Sequence, residues 1–129
     1  MFQSQVQFPL AFTLTGDLAD ETYQLWVAPA ACEVVFFYAA SGATITAGAG
    51  TGVVLTLQNG GTSGTATAAI GTIGSGTADT GWVADTVRTG TLGVATLAAG
   101  EALTLKYAED GTVNTSWLNV SLGIRWGTS

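Results

Sequence analysis

The side chains that carry most protein chemistry are scarce in this chain. Beyond tyrosine, its ionisable residues are nine acids, three basic residues (Arg88, Lys106, Arg125) and one cysteine, with no histidine. Acid–base catalysis near neutral pH and zinc binding draw chiefly on His, Cys and perturbed carboxylates. Cys32 lacks a histidine to activate it as a nucleophile, and its setting, Ala30-Ala31-Cys32-Glu33-Val34-Val35, predicts a small buried apolar residue. Asp17, Asp20 and Glu21 are close enough to raise calcium, but their spacing matches no calcium loop. Glu109-Asp110-Gly111-Thr112 reads as a hairpin turn. Glycoside hydrolysis needs two carboxylates facing one another across a cleft, and nothing in the sequence pairs any two of these acids. The expectation is a protein that is not an enzyme, with no catalytic residues, no cofactor and no metal.

Two glycine runs, Gly48-Ala49-Gly50-Thr51-Gly52 and Gly71-Thr72-Ile73-Gly74-Ser75-Gly76, superficially resemble phosphate loops. Neither has the required spacing, a following helix or a lysine, so both are expected to be loops. Trp26, Trp82, Trp117 and Trp126 could stack on sugars, but aromatics also fill β-cores and subunit interfaces. Trp117 and Trp126 lie nine positions apart on one predicted strand and so face opposite ways. Trp126 belongs to the apolar face, which leaves Trp117 as the contact candidate. Asn114-Thr115-Ser116 and Asn119-Val120-Ser121 match the glycosylation pattern by coincidence, the second inside a strand.

The elements that would position these residues are strands. Val6, Phe8, Leu10, Phe12 and Leu14 alternate with Gln5, Gln7, Pro9, Ala11 and Thr13, giving one apolar face. Pro9 cannot donate a ladder hydrogen bond, which marks residues 1–14 as an edge strand or an N-terminal arm. Tyr23, Leu25 and Val27 repeat the alternation as far as Pro29. Val34–Tyr38 is apolar on both faces, as in a central strand covered twice. Further strands are expected at Val53–Gln58, Thr65–Ile70, Gly81–Val87, Thr91–Leu97 and Ala102–Ala108. A last one follows, in which Leu118, Val120, Leu122, Ile124 and Trp126 share a side. Turns fall at Asn59-Gly60-Gly61, 71–76, Ala99-Gly100 and Asp110-Gly111. Residues 44–52 and 71–80 are expected to be loops. The chain reads as one domain over 1–129, all-β, a β-sandwich or barrel of about eight to nine short antiparallel strands with jelly-roll-like connections.

A net charge of −6 with three scattered cations argues against nucleic acid and against anionic membranes. No signal peptide is visible, and no apolar stretch is long enough to span a bilayer. Charged residues make up only 9% of the chain, against about a quarter in ordinary soluble domains, so part of the surface is expected to be covered by copies of the chain or by another protein. Phe8, Phe12, Trp82 and Trp117 are the candidate intermolecular contacts.

Four segments carry a family resemblance: 25–34 (LWVAPAACEV), 55–62 (LTLQNGGT), 97–105 (LAAGEALTL) and 120–126 (VSLGIRW). In style, an apolar strand followed by an Ala-Pro-Ala corner and Gly/Thr loops, the chain resembles the small β-rich virion proteins of tailed bacteriophages, the head decoration or head-fibre type. The resemblance implies a non-enzymatic homotrimer, made in the host cytoplasm, that sits on the capsid surface and binds the major capsid protein. It carries over no site residues. The alternative is a host-recognition module, a fibre tip or carbohydrate-binding sandwich using exposed tryptophans.

Overall fold

The computed structural model describes residues 7–15, 21–42, 53–74, 85–109 and 117–127, and among these there is no helix. Ten strands form two antiparallel sheets. Sheet A contains β1 (Gln7–Thr15), β10 (Trp117–Trp126), β3 (Cys32–Ser41) and β6 (Arg88–Thr89) in that order, and β8 (Thr96–Leu97) also pairs with β3. Sheet B contains β2 (Glu21–Val27), β9 (Ala102–Glu109), β4 (Val53–Asn59), β5 (Ala68–Ile73) and β7 (Thr91–Leu92). The chain crosses from β1 in sheet A to β2 in sheet B and back to β3. Both sheets are therefore stitched together from the start, which suits a sandwich.

The core lies between the sheets and is built by alternation. Leu118, Val120, Leu122 and Ile124 of β10 face Leu103, Leu105 and Tyr107 of β9 and Val53, Leu55 and Leu57 of β4, all buried. Phe8, Leu10, Phe12 and Leu14 of β1 pack half-buried at one side of it. Among the described residues β1 pairs only with β10, and Pro9 stands opposite Gly123, so the proline occupies an edge where none of them needs its missing N–H. Burying so many aliphatic side chains is the main favourable term, at roughly 25 cal/mol per Å² of apolar surface.

Three β-bulges shift the alternation and account for most departures from the sequence reading. In β2, Gln24 pairs with Thr104 and Trp26 with Leu103, which leaves Leu25 as the extra residue. Leu25 and Trp26 both pack on the core, and Val27, expected inside, turns outward at 59% exposure. In β3 the extra residue is Val35: Val34 and Phe37 are buried, while Tyr38 is exposed. The described residues thus cover this strand on one face, not on two as expected. In β5 the bulge at Ile70 directs both Ile70 and Ile73 inward. That strand begins at Ala68, not Thr65, and runs through Gly71–Ile73, which had been expected to be loop.

Residues 85–97 also depart from the expected pair of strands. The segment zigzags: β6 pairs with β3 in sheet A, β7 with β5 in sheet B, and β8 with β3 again. Gly90 forms the corner between β6 and β7, where its N–H donates to the Phe37 carbonyl at 2.7 Å. A β-carbon there would lie 2.4 Å from Phe37 Cδ2, so only glycine passes this close to the core ring. One continuous strand could not bridge both sheets, whereas three short pieces strap the open side shut. The expected Ala99-Gly100 turn is present, with Gly100 at φ 85°. Residues 44–52, most of 81–87 and the Asp110-Gly111 turn lie outside the described residues.

Candidate interaction surface

The outer faces of the two sheets differ in chemistry. On sheet B, Thr22, Lys106, Thr56 and Thr72 stand in one row across the strands and Gln24, Thr104 and Gln58 in the next. The turn after β4 folds over the second row, where Gln24 Nε2 donates to the Gly64 carbonyl at 2.9 Å. Thr104 and Gln58 are buried beneath it. This face is hydroxyl- and amide-rich, as a solvated sheet surface usually is.

Sheet A is different. Across β1, β10 and β3 the outward rows are Gln7–Arg125–Glu33, Pro9–Gly123–Phe36, Ala11–Ser121–Tyr38 and Thr13–Asn119–Ala40. Its only charges in these rows, Arg125 and Glu33, form an ion pair with each other. Phe36 lies over Gly123, where a β-carbon would come within 2.1 Å of its ring. It stacks on Tyr38 with ring centroids 5.0 Å apart and an interplanar angle of 28°. Thr13 Oγ1 donates to Asn119 Oδ1 at 2.8 Å, tying the edge strand to its neighbour. Beside the stack, Tyr38, Ala40, Val87, Asn119 and Ser121 border a shallow cavity of about 240 Å³. Val87 is 63% exposed. This face thus combines a stacked aromatic pair with charges that cancel.

A second feature lies at the end of the sandwich where β4 turns into β5 and β8 into β9. Asn59 Oδ1 accepts from the Gly61 N–H at 2.8 Å, and its Nδ2 donates to Glu101 Oε1 at 3.0 Å. The same Oε1 accepts from the Ala98 N–H at 2.6 Å. The backbone bond to Ala98, and then the Asn59 amide, hold the Glu101 carboxyl below its usual pKa by favouring the charged form. Ala31, Ala68, Ala69, Val94, Leu97 and Ala98 wall a cavity of about 350 Å³ beside it.

The expected contact residues take separate places. Phe8 and Phe12 point toward the core, and Phe8 sits 4.9 Å from Trp126 and 6.1 Å from Trp26 between ring centroids. Trp26 and Trp126 thus belong to an aromatic cluster that plugs one end of the core, not to an open sugar platform. Trp82 and the side chain of Trp117 lie outside the described residues, although Trp117 pairs with Thr15 at the start of β10. Asp17 and Asp20 also lie outside them, and Glu21 opens β2. Among the described residues no three His, Cys, Asp or Glu gather as metal ligands. Cys32 is buried, and desolvation raises its pKa from the usual 9.0. Sequence reasoning missed Phe36, Tyr38 and Glu101. The i, i+2 aromatic spacing was visible, but which face it occupied depended on the bulge at Val35.

The geometry defines an all-β, two-sheet sandwich in which one outer face carries a stacked aromatic pair and a mutually neutralising ion pair. No family model matches the sequence, and no curated protein matches it. Among solved structures, a chain of the cyanophage Pam1 capsid asymmetric unit shares the fold, with a TM-score of 0.57 and 15% identity over 98% of this chain and 89% of that one. A protein from disulfide-linked pili of Bacillus endospore appendages aligns at a TM-score of 0.41 and 17% identity, covering 99% of this chain and 93% of its own. A chain of infectious bursal disease virus, Gx strain, aligns at 0.32 and 13% identity, covering 98% of this chain and 34% of its own.

Proposed function

We propose that this chain is a non-enzymatic structural subunit of a virion, a decoration or cement protein seated on the capsid exterior as a homotrimer and bound to the major capsid protein. The observation that carries the reading is the near-full-length fold match to a chain of a phage capsid unit. The strand order adds support: the first strand lies beside the last, then the third, and the second beside the penultimate, then the fourth. Rolling a long double hairpin would give this order, so we read the wiring as a jelly roll, an architecture common in capsid proteins. The face of sheet A, whose two charges cancel in the Arg125–Glu33 pair, supplies a surface on which chains carrying −6 can meet without acid opposing acid.

Two measurements test the proposal. In particles purified from the source, mass spectrometry and cryo-electron microscopy should find the chain in many copies as density outside the shell. Its absence from the particles, or a position inside them, overturns the reading. Sedimentation equilibrium should show a trimer at micromolar concentration, and Tyr38→Glu should dissociate it while the circular dichroism stays β-type. A wild-type monomer removes the oligomeric part.

A further inference from the structure

The cavity at the β4–β5 and β8–β9 end combines apolar walls with one fixed carboxylate. Three observations bear on what it holds. Its walls are mostly methyl groups from alanine, valine and leucine side chains, with Asn59 and Thr96 as polar neighbours of Glu101, and Val94 at its border is 81% exposed. Glu101 is immobilised through Oε1 alone, which takes both the Ala98 N–H and the Asn59 amide. Among the described residues Oε2 accepts no hydrogen bond, and Glu101 has no ion-pair partner. The anchoring bonds to Ala98 and Asn59 favour the charged form of this carboxyl.

We infer that this cavity is a socket for a single lysine or arginine side chain presented by a different protein. The inference rests on the reading of the chain as a docked subunit, and it names the chemistry of that contact. A long basic side chain has the matching two-part character, an aliphatic stem for the methyl walls and a cationic head for the open carboxylate oxygen. An entirely apolar occupant would desolvate Glu101 without compensation. A metal ion would need more oxygen ligands than one carboxylate provides. The charge balance points to a partner other than a second copy. Arg125 is held by Glu33, Arg88 is engaged elsewhere in the fold, and Lys106 stands in a threonine row on the flat outer face of sheet B. A chain of net charge −6 draws basic partners toward it.

The full chain, labelled with nitrogen-15, is titrated with N-acetyl-lysine methylamide and, separately, with its norleucine counterpart. The lysine probe should shift the Ala98 and Glu101 amides saturably and bind about fivefold more tightly than norleucine, the scale of one partly exposed ion pair. Glu101→Gln keeps the Oε1 acceptor and hence the turn, and should reduce lysine to the norleucine level. Val94→Lys, at an exposed position, should block both probes by filling the socket from within. Equal binding of the two probes, or unchanged lysine binding by Glu101→Gln, overturns the inference. So does loss of self-association in both Lys106→Met and Glu101→Gln, which would make the occupant a second copy. If the chain is absent from particles but the titration gives the expected selectivity, the virion reading fails while the socket stands. If the chain coats particles and Glu101→Gln leaves them at the same salt concentration as wild type, the socket is not the docking contact.

Discussion

Gly123 and Phe36 form a pair whose coupling can be calculated and measured. Gly123 lies opposite Phe36 on the outer face of sheet A at an ordinary strand conformation, since it is not among the residues with positive φ. A methyl group there would meet Phe36 Cε2, Cδ2 and Cζ at 2.1, 2.3 and 2.8 Å. Carbon atoms settle at roughly 3.5–4 Å, so the ring must retreat by more than an ångström. Retreat takes it off Tyr38, from which its centroid is 5.0 Å away. Losing the stack costs about 0.5–1.5 kcal/mol, and a strained rotamer costs a similar amount. Against this, alanine gains about 0.5–1 kcal/mol over glycine from the lower entropy of the unfolded chain. The net expectation for Gly123→Ala is a loss of about 1 kcal/mol, or about 4 °C in Tm for a domain of this size. In a Phe36→Ala background only the gain remains, so the same substitution should stabilise by about 0.5 kcal/mol. The coupling energy is then about 1.5 kcal/mol, well above the scatter of independent sites. Urea unfolding followed by tryptophan fluorescence on the four proteins of this cycle measures it. If Gly123→Ala costs the same with and without Phe36, the glycine is required by the backbone and not by the Phe36 ring lying over it.

The remaining predictions concern the core, the corner, the turn and the thiol. Leu122→Ala removes a fully buried side chain from the centre of sheet A and should cost about 3 kcal/mol in urea unfolding. Gly90→Ala should cost more than Gly123→Ala, about 2–3 kcal/mol in the same assay, because the crowded Phe37 atoms include Cγ and Cβ of a fully buried ring that cannot swing away. Glu101 has a folded pKa below its usual 4.5, so its stabilisation is complete above that value and is lost as pH falls through the lower folded value. Hydrogen exchange at the Ala98 amide should accelerate on acidification through that window in wild type, relative to Glu101→Gln. Cys32 should resist Ellman's reagent at pH 8 in the native protein and react fully in urea, because burial withholds the thiolate. Rapid native labelling would place it at the surface.

Local patterning determined the class of fold. Strict alternation through Leu118, Val120, Leu122 and Ile124, and through Phe8, Leu10, Phe12 and Leu14, permits only strands with one inner face, and both strands occur in that phase. Pro9 marked an edge because a missing donor is tolerated only where no neighbour needs it. The scarcity of ionisable groups disfavoured catalysis from composition alone, since chemistry needs side chains that can transfer protons or bind metals. Phase and partner were decided only by the tertiary structure. The bulges at Leu25, Val35 and Ile70 shift the inward positions by one residue, and no local sequence signal marked which residue would be left over. The division of residues 85–97 among both sheets follows from the need to bridge a gap that exists only once the sheets face each other. Phe36 and Tyr38 were legible as apolar residues, but their place on an outer face without net charge depends on the Val35 bulge and on the neighbouring Arg125–Glu33 pair. The Glu101 socket joins residues from four separate stretches of chain, and its carboxylate is fixed by a contact with Asn59 that sequence spacing does not encode. Strand character is a property of each segment's own side chains, whereas a face or a cavity belongs to segments that only folding brings together.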